Sequence, residues 1–145
     1  MDNHSLIAID LTKNIFQICI VNSNNRVFMN RQLTRTSLSE FIAKQTPTTI
    51  AMEACYSSHY WGRLFLSYGH DIKLIPAQHV KPFVRGNKND HNDALAIAEA
   101  ARRPNIRPVP IKTIAQQDIQ VLHRLRERIV SQRTGLSKQT LRIAQ

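Results

Sequence analysis

Four acids stand where carboxylate chemistry is possible. Asp10 closes the apolar run Leu6-Ile7-Ala8-Ile9, Glu53 closes Ile50-Ala51-Met52, and Asp90 and Asp93 lie three residues apart in Asp90-His91-Asn92-Asp93. Singly, each has an ordinary role. A strand-end acid is commonly a turn residue, and an acid in a helix's first turn is a cap worth about 1 kcal/mol. Together they suggest more. Strand alternation puts Asp10 on the side of Leu6 and Ala8, where a carboxylate is costly unless paired or metal-bound. Asp90 and Asp93 share one helix face. If the first and fourth strands are neighbours and the helix from Asp90 crosses them, all four carboxylates converge. Such groups repel, each disfavouring ionisation of the next, and a divalent cation removes the conflict. Oxygen-only ligation without Cys or His suits Mg²⁺ or Mn²⁺. Two such ions about 4 Å apart can activate a nucleophile and stabilise a leaving oxygen at phosphorus. Arg85 and Lys88, nearby in sequence, offer a fork and a point charge to phosphate oxygens.

Other chemistries find less support. The six histidines (His4, His59, His70, His79, His91, His123) show no metal-ligand spacing. Ser57 and Ser58 lack a His–acid partner pattern and are expected to cap a helix. Cys19 and Cys55 lie in apolar surroundings, which excludes a disulfide scaffold and a Cys-rich zinc module. Tyr56, Tyr60 and Trp61 could stack on bases, with core packing favoured for Trp61.

The elements that must position the acids follow from pattern. Leu6–Asp10, Ile15–Val21 and Arg26–Leu33 read as three strands of an antiparallel meander, with turn chemistry in Asn22-Ser23-Asn24-Asn25. A helix follows, with a capping-box form at Ser37-Leu38-Ser39-Glu40 and Leu38, Phe41 and Ile42 on one face. Thr48–Glu53 is a fourth strand. A second helix from Ser57 or Ser58 buries Trp61, Leu64, Phe65 and Tyr68 and stops at Gly69. Asp71–Ile75 is a fifth strand, closed by Pro76. The alternation of helix and strand from Thr36 implies parallel pairing with right-handed crossovers. The order β-β-β-α-β-α-β-α predicts an α/β, ribonuclease-H-like mixed five-stranded sheet with flanking helices. A helix at 90–102, a connector punctuated by Pro104, Pro108 and Pro110, and a long basic C-terminal helix from about Ile114 complete the chain. Ile119, Leu122, Leu125 and Ile129 form an apolar stripe there, and Gly135 is expected to interrupt the helix.

Composition fits this picture. The 145 residues are 42% hydrophobic and 21% charged, a globular mix. Residues 1–80 hold seven Lys/Arg against five Asp/Glu; residues 81–145 hold thirteen against five, net +8. The second part is the expected contact for a polyanion, the alternative being a solvated helix face. No apolar run approaches the roughly 20 residues needed to span a bilayer, and the N-terminus lacks a signal-peptide pattern, so a cytoplasmic location is expected.

The motifs Ala8-Ile9-Asp10-Leu11-Thr12-Lys13, Met52-Glu53-Ala54-Cys55 and Lys88-Asn89-Asp90-His91-Asn92-Asp93-Ala94 closely resemble those of the DEDD-type insertion-sequence transposases, the insertion-sequence one-ten family that includes the Piv DNA invertase. Ser58-His59-Tyr60-Trp61, Pro76-Ala77-Gln78-His79-Val80-Lys81-Pro82, Glu99-Ala100-Ala101-Arg102-Arg103-Pro104 and Arg133-Thr134-Gly135-Leu136 extend the resemblance over nearly the whole chain. It implies a RuvC-like domain over residues 1–110 whose metal-binding, catalytic tetrad is Asp10, Glu53, Asp90 and Asp93. It also implies that residues 111–145 begin a helical region for nucleic-acid contact and homo-oligomer formation. DNA is the implied partner, in some members with a structured guide RNA encoded by the element, at the prokaryotic nucleoid. Nucleic-acid contacts are expected from Lys13, Arg85, Lys88, Arg102, Arg103, Arg124, Arg126, Arg128 and Arg133. Family members are usually more than twice this long and carry a C-terminal domain with a nucleophilic serine, so a truncated chain, incomplete for recombination, is expected. Cys55-Tyr56 also replaces the loop glycine that often follows the second acid. The competing expectations are a non-catalytic DNA- or RNA-binding product that modulates full-length transposase, and a stand-alone Holliday-junction resolvase.

Overall fold

The computed structural model describes residues 4–87 and 89–144. Its elements are β1 (His4–Asp10), β2 (Ile15–Asn22), β3 (Val27–Thr34), α1 (Arg35–Ala43), β4 (Thr49–Glu53), α2 (Ser58–Ser67), β5 (Asp71–Ile75), α3 (Ala77–Val80), a 3₁₀ turn (Lys81–Phe83), α4 (Asp90–Ala101) and α5 (Ile114–Ile143). They form two compact units, Met1–Ile111 and Lys112–Gln145. The first holds the sheet; α5 makes up most of the second.

The sheet order is β3-β2-β1-β4-β5. The pairs β1–β2 and β2–β3 are antiparallel, and β1–β4 and β4–β5 are parallel. This is the predicted mixed sheet. Short turns make the meander antiparallel. Between β2 and β3, Asn22 Oδ1 accepts the N–H groups of Asn24 and Arg26 at 3.0 and 2.9 Å. Asn25 takes a left-handed φ of 64°, which asparagine tolerates better than most residues. Beyond β3 each connection carries a helix, which parallel neighbours require.

β1 is the central strand. Leu6 to Ile9 are all buried, so a continuous apolar run, not an alternating one, is what the position needs. On one face Ile7, Ile9, Phe16, Ile18, Ile50 and Met52 pack on Leu38 and Ile42 of α1 and on Trp61 and Phe65 of α2. Trp61 meets Phe16 edge-on at 5.1 Å and is a core residue, as expected. On the other face Leu6, Ala8, Cys19, Val21 and Ala51 take α4 through Ala94, Ile97, Ala98 and Ala101. Small side chains there allow α4 to lie close to the strands.

Several local features differ from the sequence expectation. α1 starts at Arg35, not Ser37, because Thr34 is the cap: its Oγ1 accepts the Ser37 N–H at 3.3 Å. The capping box at Ser37–Glu40 is therefore not formed. Ser57 makes no side-chain cap bond. Ser58 instead closes the preceding turn, its Oγ accepting from Cys55 N–H at 3.1 Å and donating to Cys55 O at 2.8 Å. α2 ends in a Schellman motif, with Gly69 at φ 90°, Gly69 N–H on Leu66 O and His70 N–H on Phe65 O. Tyr68 is exposed on that last turn instead of buried, and Leu64 only half-buried. His70 is buried; Nδ1 accepts the Thr48 N–H at 3.3 Å, leaving Nε2 to donate to Ile42 O at 3.0 Å. It ties the end of α1 to the entry of β4. Gly135 does not interrupt α5, which runs 30 residues; about 1 kcal/mol against Ala does not break a continuous hydrogen-bonded ladder.

Cys19 lies under α4. Burial pushes its thiol from 9.0 up to about 11, opposed more weakly by the nearby Arg102 guanidinium. A folded-state value above the unfolded one gives stability that is whole below pH 9 and lost as pH rises to about 11. Between pH 8 and 10.5 wild type should therefore lose about 2 kcal/mol more stability than Cys19→Ala, as read by denaturant unfolding at the two pH values.

Candidate metal centre

Asp10 is the last residue of β1 and lies on the α4 side of the sheet with Leu6 and Ala8. Glu53 ends β4 on the same side as Ala51, one step past the Ile9–Met52 pair of the β1–β4 ladder. α4 supplies the other acids. Its N-cap is Asn89, whose Oδ1 accepts the Asn92 N–H at 2.8 Å, so Asp90 and Asp93 both fall in the first turn. One carboxylate oxygen from each of Asp10, Asp90 and Asp93 lies within 4.8 Å of the others, and all three residues are half-buried. Glu53 is outside that triple but lines the same hollow, of about 580 Å³, with Thr12 and Lys81.

Two residues absent from the sequence expectation hold this arrangement. Gln17 faces Asp10 across the β1–β2 ladder and is buried. Its amide donates to Asn30 Oδ1, and Asn30 Nδ2 donates to the His91 carbonyl at 3.3 Å. The first turn of α4 is thus tied to β2 and β3. The available signal was a polar residue in the inward register: Gln17 shares its side of β2 with Cys19 and Val21. Lys81 was also missed, because the short α3 and 3₁₀ turn after Pro76 carry no periodicity.

The helix N-terminus carries partial positive charge that favours carboxylates in its first turn, here Asp90 and Asp93. The donor set is all oxygen. Oxygens ligating one Mg²⁺ at about 2.1 Å lie roughly 3–4 Å apart, so small rotations bring the three acids onto one ion. These residues fit a hard divalent cation.

The basic residues are distributed more widely than expected. Lys13 is exposed, three residues past Asp10. Arg85 does not face the acids; it is 85% exposed and lies 3.9 Å from Glu99, because its loop runs toward the later turns of α4. Lys88 lies outside the described residues. Arg102 and Arg103 follow the last turn of α4, about 18 Å along the axis from Asp90. Arg124, Arg126, Arg128 and Arg133 are exposed on α5, in the second unit. Tyr60 is 47% exposed, with the Arg35 guanidinium 5.2 Å from its ring centre.

A mixed five-stranded sheet with acids at the ends of its two central parallel strands and on the crossing helix defines a ribonuclease-H-like protein. Solved structures agree. RuvC of T. thermophilus in complex with a Holliday junction substrate superposes with a TM-score of 0.54 at 14% identity, covering 72% of this chain and 98% of that one. A second Thermus thermophilus RuvC structure gives 0.53. The family model of the DEDD transposases of the IS110 type, described as "Transposase", matches residues 7–144. The chain belongs to that family. It is 46% identical over 134 residues to the "Probable family 20 transposase" of Pseudomonas aeruginosa, covering 92% of this chain and 40% of that protein. It is 40% identical to the transposases for the insertion sequence elements IS1111A of Coxiella burnetii (94% of this chain, 37% of that) and IS1328 of Yersinia enterocolitica (96% and 42%). The chain thus spans about two fifths of the length of the curated relatives it matches.

Without a cation the clustered carboxylates repel. In EDTA, Asp93→Asn should raise the melting temperature by a few degrees, corresponding to about 1 kcal/mol. Asn30→Ala should lower it by a similar amount, because Gln17 and the His91 carbonyl lose their partner. Thermal unfolding followed by circular dichroism checks both signs.

Proposed function

We propose that residues 1–110 are the catalytic RuvC-like domain of an insertion-sequence transposase, and that Asp10, Glu53, Asp90 and Asp93 hold Mg²⁺ or Mn²⁺ for phosphodiester cleavage and joining. The observation that supports this most is the meeting of Asp10, Asp90 and Asp93 within 4.8 Å. When bound, the cation supplies Lewis-acid stabilisation of charge at phosphorus and a more acidic nucleophile. The chain's own part is positional. Asp10 and Glu53 are fixed by strand ends, and Asp90 and Asp93 by a helix anchored through Asn30. Lys81, which lines the hollow, offers positive charge for phosphate oxygens, and Lys13, three residues past Asp10 in sequence, is proposed to add to it. The family's serine nucleophile, on a C-terminal domain not among these residues, would complete recombination.

Residues 111–145 are proposed as the start of a nucleic-acid and dimer region. Leu122, Ile129, Leu136 and Ile143 recur every seven residues on α5 and are all exposed, one of the two apolar rows of a coiled-coil seam, the companion positions being Leu125, Gln132 and Gln139. Arg124, Arg126, Arg128 and Arg133 lie on the same helix. The partners proposed are DNA, a guide RNA encoded by the element, and a second copy of the chain, at the nucleoid. Among the described residues no helix is long and apolar enough to cross a membrane. The arginines and apolar seam of α5 also favour a second reading, a non-catalytic DNA- or RNA-binding product that modulates the full-length enzyme.

Titration calorimetry with Mn²⁺ separates the two. Wild type should bind the ion, and Asp10→Asn should bind it at least tenfold more weakly while still shifting DNA in a gel. Identical titrations, with DNA binding lost only on charge reversal of Arg124, Arg126 and Arg128, would leave the non-catalytic binder.

A further inference from the structure

The apolar row of α5 is bordered by one sign of charge. With Leu122, Ile129, Leu136 and Ile143 as one row and Leu125, Gln132 and Gln139 as its companion, the positions flanking the seam include Arg126 and Arg133 on one side and Arg128 and Arg142 on the other. All four arginines are exposed. The acids of α5 do not neutralise them. These are Asp118 and Glu127, and neither stands three or four residues from any of the four, the spacings at which helical side chains meet. Arg124 differs: it lies off the seam and has Glu127 three residues on.

The two rows also decide how copies of the helix fit. In a parallel, in-register pair each residue meets its own counterpart. Leucines and isoleucines then face apolar groups, and Gln132 and Gln139 face glutamines, whose amides bond each other. An antiparallel pair sets one row against the other. It puts glutamine against leucine or isoleucine and leaves buried amides without partners, which is costly. The parallel fit has its own penalty. Arg128 of one copy faces the partner's Arg133 on each flank, and like charges at such positions oppose pairing. An anion between them reverses the sign. Two guanidinium forks directed at one place are what phosphate oxygens take.

We propose that Arg128 and the partner's Arg133 form a composite phosphate site that exists only when two copies of α5 are joined, so that self-association and polyanion binding drive each other. The inference rests on the reading of α5 as a dimer and nucleic-acid region and adds the coupling between those two roles. Linkage makes the coupling reciprocal: phosphate tightens the pair by the factor by which pairing tightens phosphate. Away from nucleic acid the arginines hold the copies apart. On a phosphate backbone the same residues join them.

Two measurements on the full chain test this. The first is sedimentation equilibrium without nucleic acid at low and high NaCl. Salt screens the arginine pairs, so the wild-type dimer should tighten about fivefold from low to high salt. Arg128→Glu converts each like-charge pair into an ion pair. It should dimerise about tenfold more tightly than wild type at low salt and loosen as salt rises. Arg124→Glu changes the net charge equally but lies off the seam, and should follow wild type. The second is fluorescence anisotropy with a 5′-fluorescein duplex at low salt. Ile129→Asn leaves every arginine in place and alters an exposed side chain, yet should weaken duplex binding about tenfold because the site loses its second half. Equal duplex affinity for Ile129→Asn and wild type would overturn the proposal. So would matching behaviour of Arg128→Glu and Arg124→Glu, which would leave a dimer uncoupled from phosphate. A chain that stays monomeric at every salt concentration and on the duplex would overturn the dimer reading as well.

Discussion

Mutual repulsion of carboxylates held closer than they would choose is the constraint on which the rest of this structure depends. Asp10 is fixed by the central strand, while Asp90 and Asp93 ride on a helix that must lie close enough to bring an oxygen of each within 4.8 Å. The positive end of the α4 dipole offsets part of that repulsion, but the approach is not left to charge. It is imposed by packing: alanines along α4 seat the helix against Ala8, Cys19 and Ala51, and Asn30 holds its first turn by the His91 carbonyl. Apolar burial at about 25 cal/mol per Å² of surface removed from water is enough to sustain such local strain. The core beneath them thus fixes the three carboxylates close together.

α4 carries opposite charge at its two ends. Acids occupy its first turn, and Arg102 and Arg103 follow its last, with Lys73 reaching the Ala101 carbonyl. Each sign suits the helix dipole at its own end, so the pattern is compatible with stability.

Much of this was legible in the sequence. The strands are apolar runs bounded by turn residues, and their order leaves few arrangements for a mixed sheet. Asp10 and Glu53 could be placed because they end such runs, and Asp90 and Asp93 because their spacing is helical. What was not legible depends on three-dimensional competition between similar groups. Thr34 and Ser37 are both good caps, and only the path out of β3 decides that Thr34 serves. Gln17 and Asn30 carry no periodic signal; one polar residue in a buried register looks like noise until its partner is seen across the sheet. The direction of the loop holding Arg85 has no local code, so its separation from the acids could not be read.

The most direct measurement of the central claim is a crystal structure of the chain grown with Mn²⁺, with anomalous differences collected at the manganese edge. A peak bonded to oxygens of Asp10, Asp90 and Asp93 at about 2.1–2.3 Å, with Glu53 turned toward it directly or through water, is the expected result. A saturating Mn²⁺ concentration that leaves no peak between these residues, or places the ion elsewhere on the chain, would contradict the account.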